Sequence, residues 1–520
     1  MALSVLIDLL KDEGENTRFW AAAGLDSLYP LCLSESGAYL MERMRKFGTC
    51  RYLRNHHALS EITRETLRAG GEAYSEDEHG NPIYSFERMN GIYEKYLEYG
   101  IKPVVEMDYL PKALIRESDA VGGVEEGRHN GRSWPNDWGK WRNLLVAFTQ
   151  NLVARFGIEE VRTWYFEVWN EPDSWAVDDW PQFYRMYDIF VAAVTGVDGS
   201  LQVGGPGTYT LPFLKGFLNH VVNGTNAETG EKGTRIDFIS HHIYGMSGGW
   251  INEYPLAMPT VQRFVHELLW IGRSIGAYPS LINVPFHLNE WGVCSHYEKS
   301  SLDHTALSIR DSEFSALFFI KLVDCIFKLR EKFGFEVSML LYWGFCAEDH
   351  FGQIFHGHRS LTTAHRLPKP IQTAHELLSL MGDRLAAVSG LNSGGPVGIL
   401  AAKNGGGAQV LAYHFSEYDE EAMSAPRSGT AEIRGLKDGV YNVQVYLMDR
   451  EHHNTYRLWQ AMGGRREPDA VDMAALRKAA ELTPNREYQI VVEGGVHKLP
   501  LHLQAQSAHL YMLTKGDQPK

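Results

Sequence analysis

Residues 163–173 read Thr-Trp-Tyr-Phe-Glu-Val-Trp-Asn-Glu-Pro-Asp. Trp164 to Trp169 are aromatic and β-branched enough to form a buried strand. Pro172 has no N–H to donate and a fixed φ, so it ends any regular ladder and leaves Asn170 and Glu171 at the strand's C-terminal lip. In a closed parallel α/β barrel that lip is where chemistry is kept. A carboxyl group there, ringed by Trp169, Trp175 and Tyr165, has its ionised form disfavoured by desolvation, which suits a proton donor. Alone, the Glu-Pro pair reads more simply as an ordinary capping loop. A second element changes the reading: Pro285-Phe-His-Leu-Asn-Glu-Trp-Gly292 is another short apolar strand, and it ends in Glu290.

Working outward, short apolar segments alternate with longer amphipathic ones. Strands are expected at Trp20–Leu25, Cys50–Arg54, Lys102–Met107, Trp164–Trp169, Leu201–Gly204, Ile236–His241, Phe286–Glu290 and Met339–Phe345. Helices are expected at Glu35–Phe47, Phe86–Tyr99, Asp137–Phe156, Trp180–Val194, Phe213–Val222, Val261–Ile275, Ser312–Lys332 and Ile371–Met381. Eight strands, each followed by a helix, is the count of a (β/α)8 TIM barrel over residues 17–385. An open doubly wound sheet would need a phosphate-type glycine fingerprint after its first strand, and Ala-Gly-Leu-Asp at 23–26 is not one. From residue 386 to 520 glycine turns separate brief strands such as Gln409–Phe415, Val440–Leu447, Tyr488–Glu493 and Ser507–Leu513. That texture predicts a C-terminal antiparallel β-sandwich. Residues 1–16 are expected to lend it a strand, and Tyr456–Lys478 a short helix.

At 520 residues the chain exceeds one ordinary core. Hydrophobic residues at 44% and charged residues at 22% are globular proportions. The net charge of −14, with no basic cluster, argues against nucleic-acid or anionic-membrane partners. The first ten residues are apolar but too short to span a bilayer and lack a basic leader, so neither signal peptide nor anchor is expected. The five cysteines are odd in number, scattered and without a CxxC pair, which fits a reduced cytoplasm.

The candidate polar residues cluster at strand C-termini: Asn55-His56-His57, Glu106-Met107-Asp108-Tyr109, Asn170-Glu171, His241-His242-Ile243-Tyr244, Asn289-Glu290-Trp291 and Tyr342-Trp343, with Glu348 and Asp349 close behind. Carboxyls among aromatics and neutral hydrogen-bonders suit a polyhydroxylated ligand, since aromatic faces cover a sugar ring while polar groups read its hydroxyls. Two carboxyls about 5–5.5 Å apart make one a nucleophile toward a glycosidic bond, and a gap of roughly 6.5–9.5 Å makes it a base acting through water.

The pairing of Val168-Trp-Asn-Glu-Pro-Asp173 with a second Glu ending strand seven resembles the clan A retaining glycosidases. More closely, the chain resembles glycoside hydrolase family 39, the β-xylosidases and α-L-iduronidases. Tyr52-Leu-Arg-Asn-His-His57, Val104–Lys112, Trp164–Asp173, Val203-Gly-Gly-Pro206, Asp237–Tyr244 and Pro368-Lys-Pro370 carry the likeness across nearly the whole barrel and, more weakly, the terminal sandwich. The resemblance implies an exo-acting enzyme with an oligosaccharide or glycoside substrate and no cofactor or metal. It implies Glu171 as acid/base, Glu290 as nucleophile and Asn170 as the group orienting the neighbouring sugar hydroxyl. His56, His242 and Tyr244 would line the pocket, with Tyr244 bonding Glu290, and Trp291, Trp343, Asp349 and Arg359 are further substrate-binding candidates. Arg359 would meet a substrate carboxylate in an iduronidase, or pair with Asp349 as a structural ion pair. Against the iduronidase branch, Ile243 and Tyr244 stand where it carries a lysine, so a xylosidase is the first expectation. Relatives also suggest a homo-oligomer.

Two rivals stay open. A metal-dependent barrel hydrolase would use the His pairs at 56–57 and 241–242 with His350, His356 and His358, and a chelator would abolish its activity. A non-catalytic glycan-binding protein would bind sugar weakly with no turnover of aryl glycosides.

Overall fold

The computed structural model describes residues 3–25, 33–60, 72–116, 133–174, 179–246, 259–295, 300–346, 353–392, 394–417 and 425–516. Trp175, Glu348, Asp349 and His350 lie outside the described residues. Eight parallel strands pair in chain order: Ala22–Leu25, Tyr52–Asn55, Lys102–Met107, Tyr165–Val168, Gln202–Thr208, Phe238–Tyr244, Phe286–Gly292 and Val337–Trp343. The eighth closes on the first, Leu341–Trp343 against Ala22–Gly24. Helices follow each strand, from Glu35–Phe47 after the first to Pro370–Ser379 after the eighth. Local chemistry sets their ends. Ser34, Asp137 and Ser312 accept backbone N–H groups at helix starts, and Gly48 and Gly334 take the left-handed conformation that stops them.

Alternation along the strands sorts the side chains. Val105, Met107, Phe166 and Val168 turn outward into one core shared with the helices, whereas Tyr52, Val104, Tyr165, Met339 and Leu341 fill the barrel's interior. Further along the same inward rows come Arg54, Glu106, Glu167 and Trp343, all essentially without solvent contact. Gly24 makes this packing feasible. A β-carbon at Gly24 would sit 2.2 Å from the Trp343 ring, so only glycine lets that indole lie across the mouth.

Strands five, six and seven run two or more residues further than sequence patterning suggests, the seventh through Glu290 to Gly292. Strand five continues past its expected end at Gly204, through Gly205-Pro206-Gly207 to Thr208. Gly204 allows the close approach it needs, because a β-carbon there would fall 2.3 Å from the Phe238 carbonyl oxygen. Strand six runs to Tyr244, so His242 and Tyr244 belong to the sheet. Separated by two residues, they share its inward face, while His241 turns out to bond Glu267 on the helix Val261–Gly276.

The second unit is a nine-stranded, mostly antiparallel sheet. Leu3–Glu15 lies inside it, antiparallel to Arg384–Ser389 and parallel to Arg427–Arg434. One face closes on itself around Val5, Ile7, Val410, Ile433, Val443 and Leu501. The opposite face presents Leu411, Tyr413 and Leu510 to the barrel core, and Tyr413 donates to Asp324 on the helix Glu313–Phe333 at 2.6 Å. Two short helices, Thr455–Ala461 and Ala470–Ala479, interrupt the sheet between its strands Gly439–Met448 and Arg486–Val492. Among the described residues no helix is long and apolar enough to cross a membrane. Cys50, Cys294, Cys325 and Cys346 are all free thiols.

Candidate active site

The Trp-Asn-Glu-Pro turn is held in an unusual shape. Trp169 and Glu171 have φ of 69° and 44°, left-handed values that side-chain-bearing residues rarely adopt. Strand five pins them there. The Glu171 N–H donates to the Gly207 carbonyl at 2.8 Å, and Asp173 accepts from the Thr208 hydroxyl and, at 2.8 Å, from the Thr210 N–H. Glu290 reaches the same space by a different device. A register irregularity in strand seven between Leu288 and Trp291 lets Asn289 and Glu290 both meet groups inside the barrel.

His242 stands between the two glutamates. Its Nδ1 lies 3.0 Å from Glu171 Oε1 and 3.5 Å from Glu290 Oε2, and the three atoms lie within 4.8 Å of one another. Burial pushes the His242 imidazole down to about 3, outweighing the pull of Glu290, so it sits there neutral. Glu290 accepts from the Tyr244 hydroxyl at 2.6 Å and from Arg54 Nη1 at 3.3 Å. The Glu290 side chain is only 7% exposed, whereas the Glu171 side chain keeps 24% of its surface in solvent.

Arg54 organises the floor. Its guanidinium donates to Glu167 at 2.9 Å, Glu106 at 2.8 Å and the Asn170 side-chain oxygen at 3.2 Å, besides Glu290. Burial works against this cation, but Glu106, Glu167 and Glu290 together hold its pKa above the ordinary arginine value. Asn170 passes the contact on, donating to the Tyr109 hydroxyl at 3.2 Å. His56 Nδ1 lies 2.9 Å from Glu106 Oε2, and its ring centroid is 4.5 Å from that of Trp343, which also lies under Arg54 at 5.2 Å. Burial raises Glu106 and Asp108 well above the usual carboxyl range. Two groupings, His56–Glu106–Asp108 and Glu171–His242–Glu290, bring ligand-type atoms close together, but Arg54 already supplies positive charge beside both. Neither is assigned as a metal site.

His56, Asn170, Glu171, His242, Tyr244, Glu290 and Trp343 thus converge on one mouth. Arg359 joins them from the loop after strand eight, donating to the Tyr244 hydroxyl at 3.2 Å and the Ser295 carbonyl at 3.1 Å. Trp291 is a correction. As the neighbour of Glu290 it turns outward and is fully buried, with its ring 5.4 Å from Phe319 and 6.0 Å from Phe264 in the helix layer. Asp349, the alternative partner for Arg359, lies outside the described residues. Arg54 and Glu167 belong to the site as well, although in sequence they read as ordinary strand residues. The signal was available in the two-residue alternation, which puts Arg54 on the Tyr52 face and Glu167 on the Tyr165 face.

The helical insert of the second unit braces the Arg359 loop. Tyr456, Trp459 and Leu476 pack on Ile354, Phe355 and Leu367, and the Thr455 hydroxyl donates to the Pro368 carbonyl at 2.7 Å. Arg457 clamps Glu313, at the start of the helix after strand seven. Trp459→Ala is therefore expected to lower kcat/KM about tenfold through displacement of Arg359 and Tyr244. Steady-state kinetics beside a thermal melt check this, and unchanged kcat/KM would show that the barrel alone places the loop.

The profile described as Glycosyl hydrolases family 39 matches residues 3–495. Over 470 residues the chain is 27% identical to a β-xylosidase of Geobacillus stearothermophilus, spanning 85% of this chain and 81% of the relative. It is 24% identical over 433 residues to an α-L-iduronidase of Mus musculus, spanning 76% of this chain and 63% of the relative. A crystal structure of a monomeric β-xylosidase from Caulobacter crescentus superposes with a TM-score of 0.79 at 25% identity, covering 99% of this chain and 100% of that one. With the profile spanning nearly its whole length, the chain belongs to glycosyl hydrolase family 39.

Proposed function

We propose that this glycoside hydrolase is an exo-acting retaining enzyme that removes a β-xylosyl unit from the non-reducing end of its substrate, with Glu290 as nucleophile and Glu171 as acid/base. One observation carries the reading: Glu171 and Glu290 carboxyl oxygens lie within 4.8 Å of each other around His242. That spacing belongs with direct attack, because an intervening water needs a gap of roughly 6.5–9.5 Å. Glu290 attacks the anomeric carbon as Glu171 gives its proton to the leaving oxygen, and the bond to the aglycone breaks. Glu171, now ionised, takes a proton from the water that attacks the same carbon and releases Glu290. Donors from Tyr244 and Arg54 hold the Glu290 carboxylate in one orientation for that attack.

The β-xyloside preference rests on the likeness to β-xylosidases over most of the chain. Arg359 supports a second reading, an α-L-iduronide, because its guanidinium reaches the hydroxyl that bonds Glu290 and a fork there suits a sugar carboxylate. A panel of nitrophenyl β-xyloside, α-L-iduronide, β-glucoside, β-galactoside and α-L-arabinoside decides between them. The β-xyloside is expected to have the highest kcat/KM, and binding without turnover of any member would overturn the enzymatic reading. In the same reading residues 17–385 form the catalytic barrel, with 386–520 and residues 1–16 as its accessory sandwich. A cytoplasmic homo-oligomer is its expected form, and light scattering on eluted protein reads the assembly state.

A further inference from the structure

One guanidinium faces three buried carboxyl groups. Arg54 lies 2.8 Å from Glu106, 2.9 Å from Glu167 and 3.3 Å from Glu290. One cation cannot balance three anions where water is excluded, so a proton on one carboxyl is the less costly state. The hydrogen bonds identify which one. Glu167 receives donors at both oxygens: Arg54 Nε, the Asn289 amide, and the Ser240 hydroxyl, whose own oxygen accepts from the Gly207 N–H. Glu290 receives Arg54 and the Tyr244 hydroxyl, whose oxygen is in turn bonded by Arg359. Glu106 differs. Its Oε1 takes Arg54, but its Oε2 faces His56 Nδ1 at 2.9 Å, an atom that accepts as readily as it donates. Asp108 is no substitute, because its nearer oxygen is 3.6 Å from that nitrogen and its other oxygen takes the His57 N–H.

We propose that Glu106 holds one proton for this cluster and donates it to His56 Nδ1, fixing His56 as the Nε2–H tautomer and making Glu106 a positioning residue. The assignment deepens the glycosidase reading and rests on it for its consequence. In the free enzyme Arg54, Glu167 and Glu290 sum to one negative charge. Once Glu290 is esterified, the set is neutral without any proton moving within it. His56, meanwhile, offers a hydrogen to a sugar hydroxyl. Burial holds the Glu106 carboxyl in the direction this requires.

The test reads the tautomer directly. In the full chain labelled with ¹⁵N-histidine, two-bond ¹H–¹⁵N correlations assign His56 by the pattern lost in His56→Gln. A bare Nδ1 with a protonated Nε2 is expected, and the same pattern in Glu106→Gln, whose amide can donate to Nδ1 while its oxygen accepts from Arg54. Glu106→Leu, which leaves Nδ1 without its donor, should raise KM about tenfold, with a smaller change in kcat. A protonated Nδ1 in the unmodified protein, alone or as imidazolium, would overturn the assignment. So would loss of the pattern in Glu106→Gln. The spectrum needs no turnover, so an inactive glycoside panel with the expected tautomer would sink the functional reading and leave the proton assignment standing.

Discussion

Glu290→Ala is expected to lose about 10⁴-fold or more in kcat on every substrate, and to regain turnover with azide on activated aryl glycosides. Removing the nucleophile removes the covalent intermediate, and with it the division of one difficult displacement into two easier ones. The residual cavity lies at the atom that attacked, beside Arg54 and the Tyr244 hydroxyl, both of which favour a small anion. Azide entering there attacks the face of the anomeric carbon opposite the leaving group, and the azido sugar has inverted configuration. The fold should tolerate the change. Arg54 keeps Glu106 and Glu167 as partners, and the cluster loses one uncompensated negative charge, so the thermal midpoint should not fall. Chirality of the azide product is the deciding measurement. A product of retained configuration, or no rescue at all, would place the nucleophile elsewhere.

The sequence announces these two glutamates because each lies near the C-terminal end of an apolar strand, and in a parallel barrel those ends are where polar residues converge. Lys102–Met107 and Glu35–Phe47 are likewise readable to the residue, each bounded by strong local signals. Strand six shows where such reading stops. His241-His242 looks like a polar lip, yet the strand continues through Ile243 to Tyr244, because alternate residues find partners on opposite faces: Glu267 outside, Glu171 and Glu290 within. Arg54 and Glu167 are harder still. A charged residue inside a strand ordinarily means a solvated face, and only closure of the ring turns that face into an interior. Trp291 fails for the converse reason. Adjacency to Glu290 suggests the pocket, while alternation sends the indole into the helix layer. The partners of Leu3–Glu15 in the second sheet depend on pairings hundreds of residues away, which no local pattern encodes.

Glu171→Ala should behave differently from Glu290→Ala, and the difference is the evidence for separate roles. Proton donation matters in proportion to the basicity of the leaving oxygen, so alkyl glycosides and disaccharides are expected to lose about 10³–10⁴-fold in kcat/KM. Dinitrophenyl glycosides, which depart without help, should lose less than about tenfold in the same parameter. For them the burden moves to the second step, where water must attack without a base and the glycosyl-enzyme accumulates. Azide needs no base, so it should speed that step and give a sugar azide of retained configuration, the opposite outcome to the Glu290 variant. The exposed side of Glu171 provides the approach for either nucleophile, and His242 remains in place through its contact with Glu290. A plot of log kcat/KM against leaving-group pKa carries the decision. It should steepen in Glu171→Ala and stay parallel to the unmodified enzyme in any variant that merely loosens the pocket. If both glutamate variants gave the same slope and the same azide anomer, two carboxyls meeting at one carbon would not be dividing the work as acid and nucleophile.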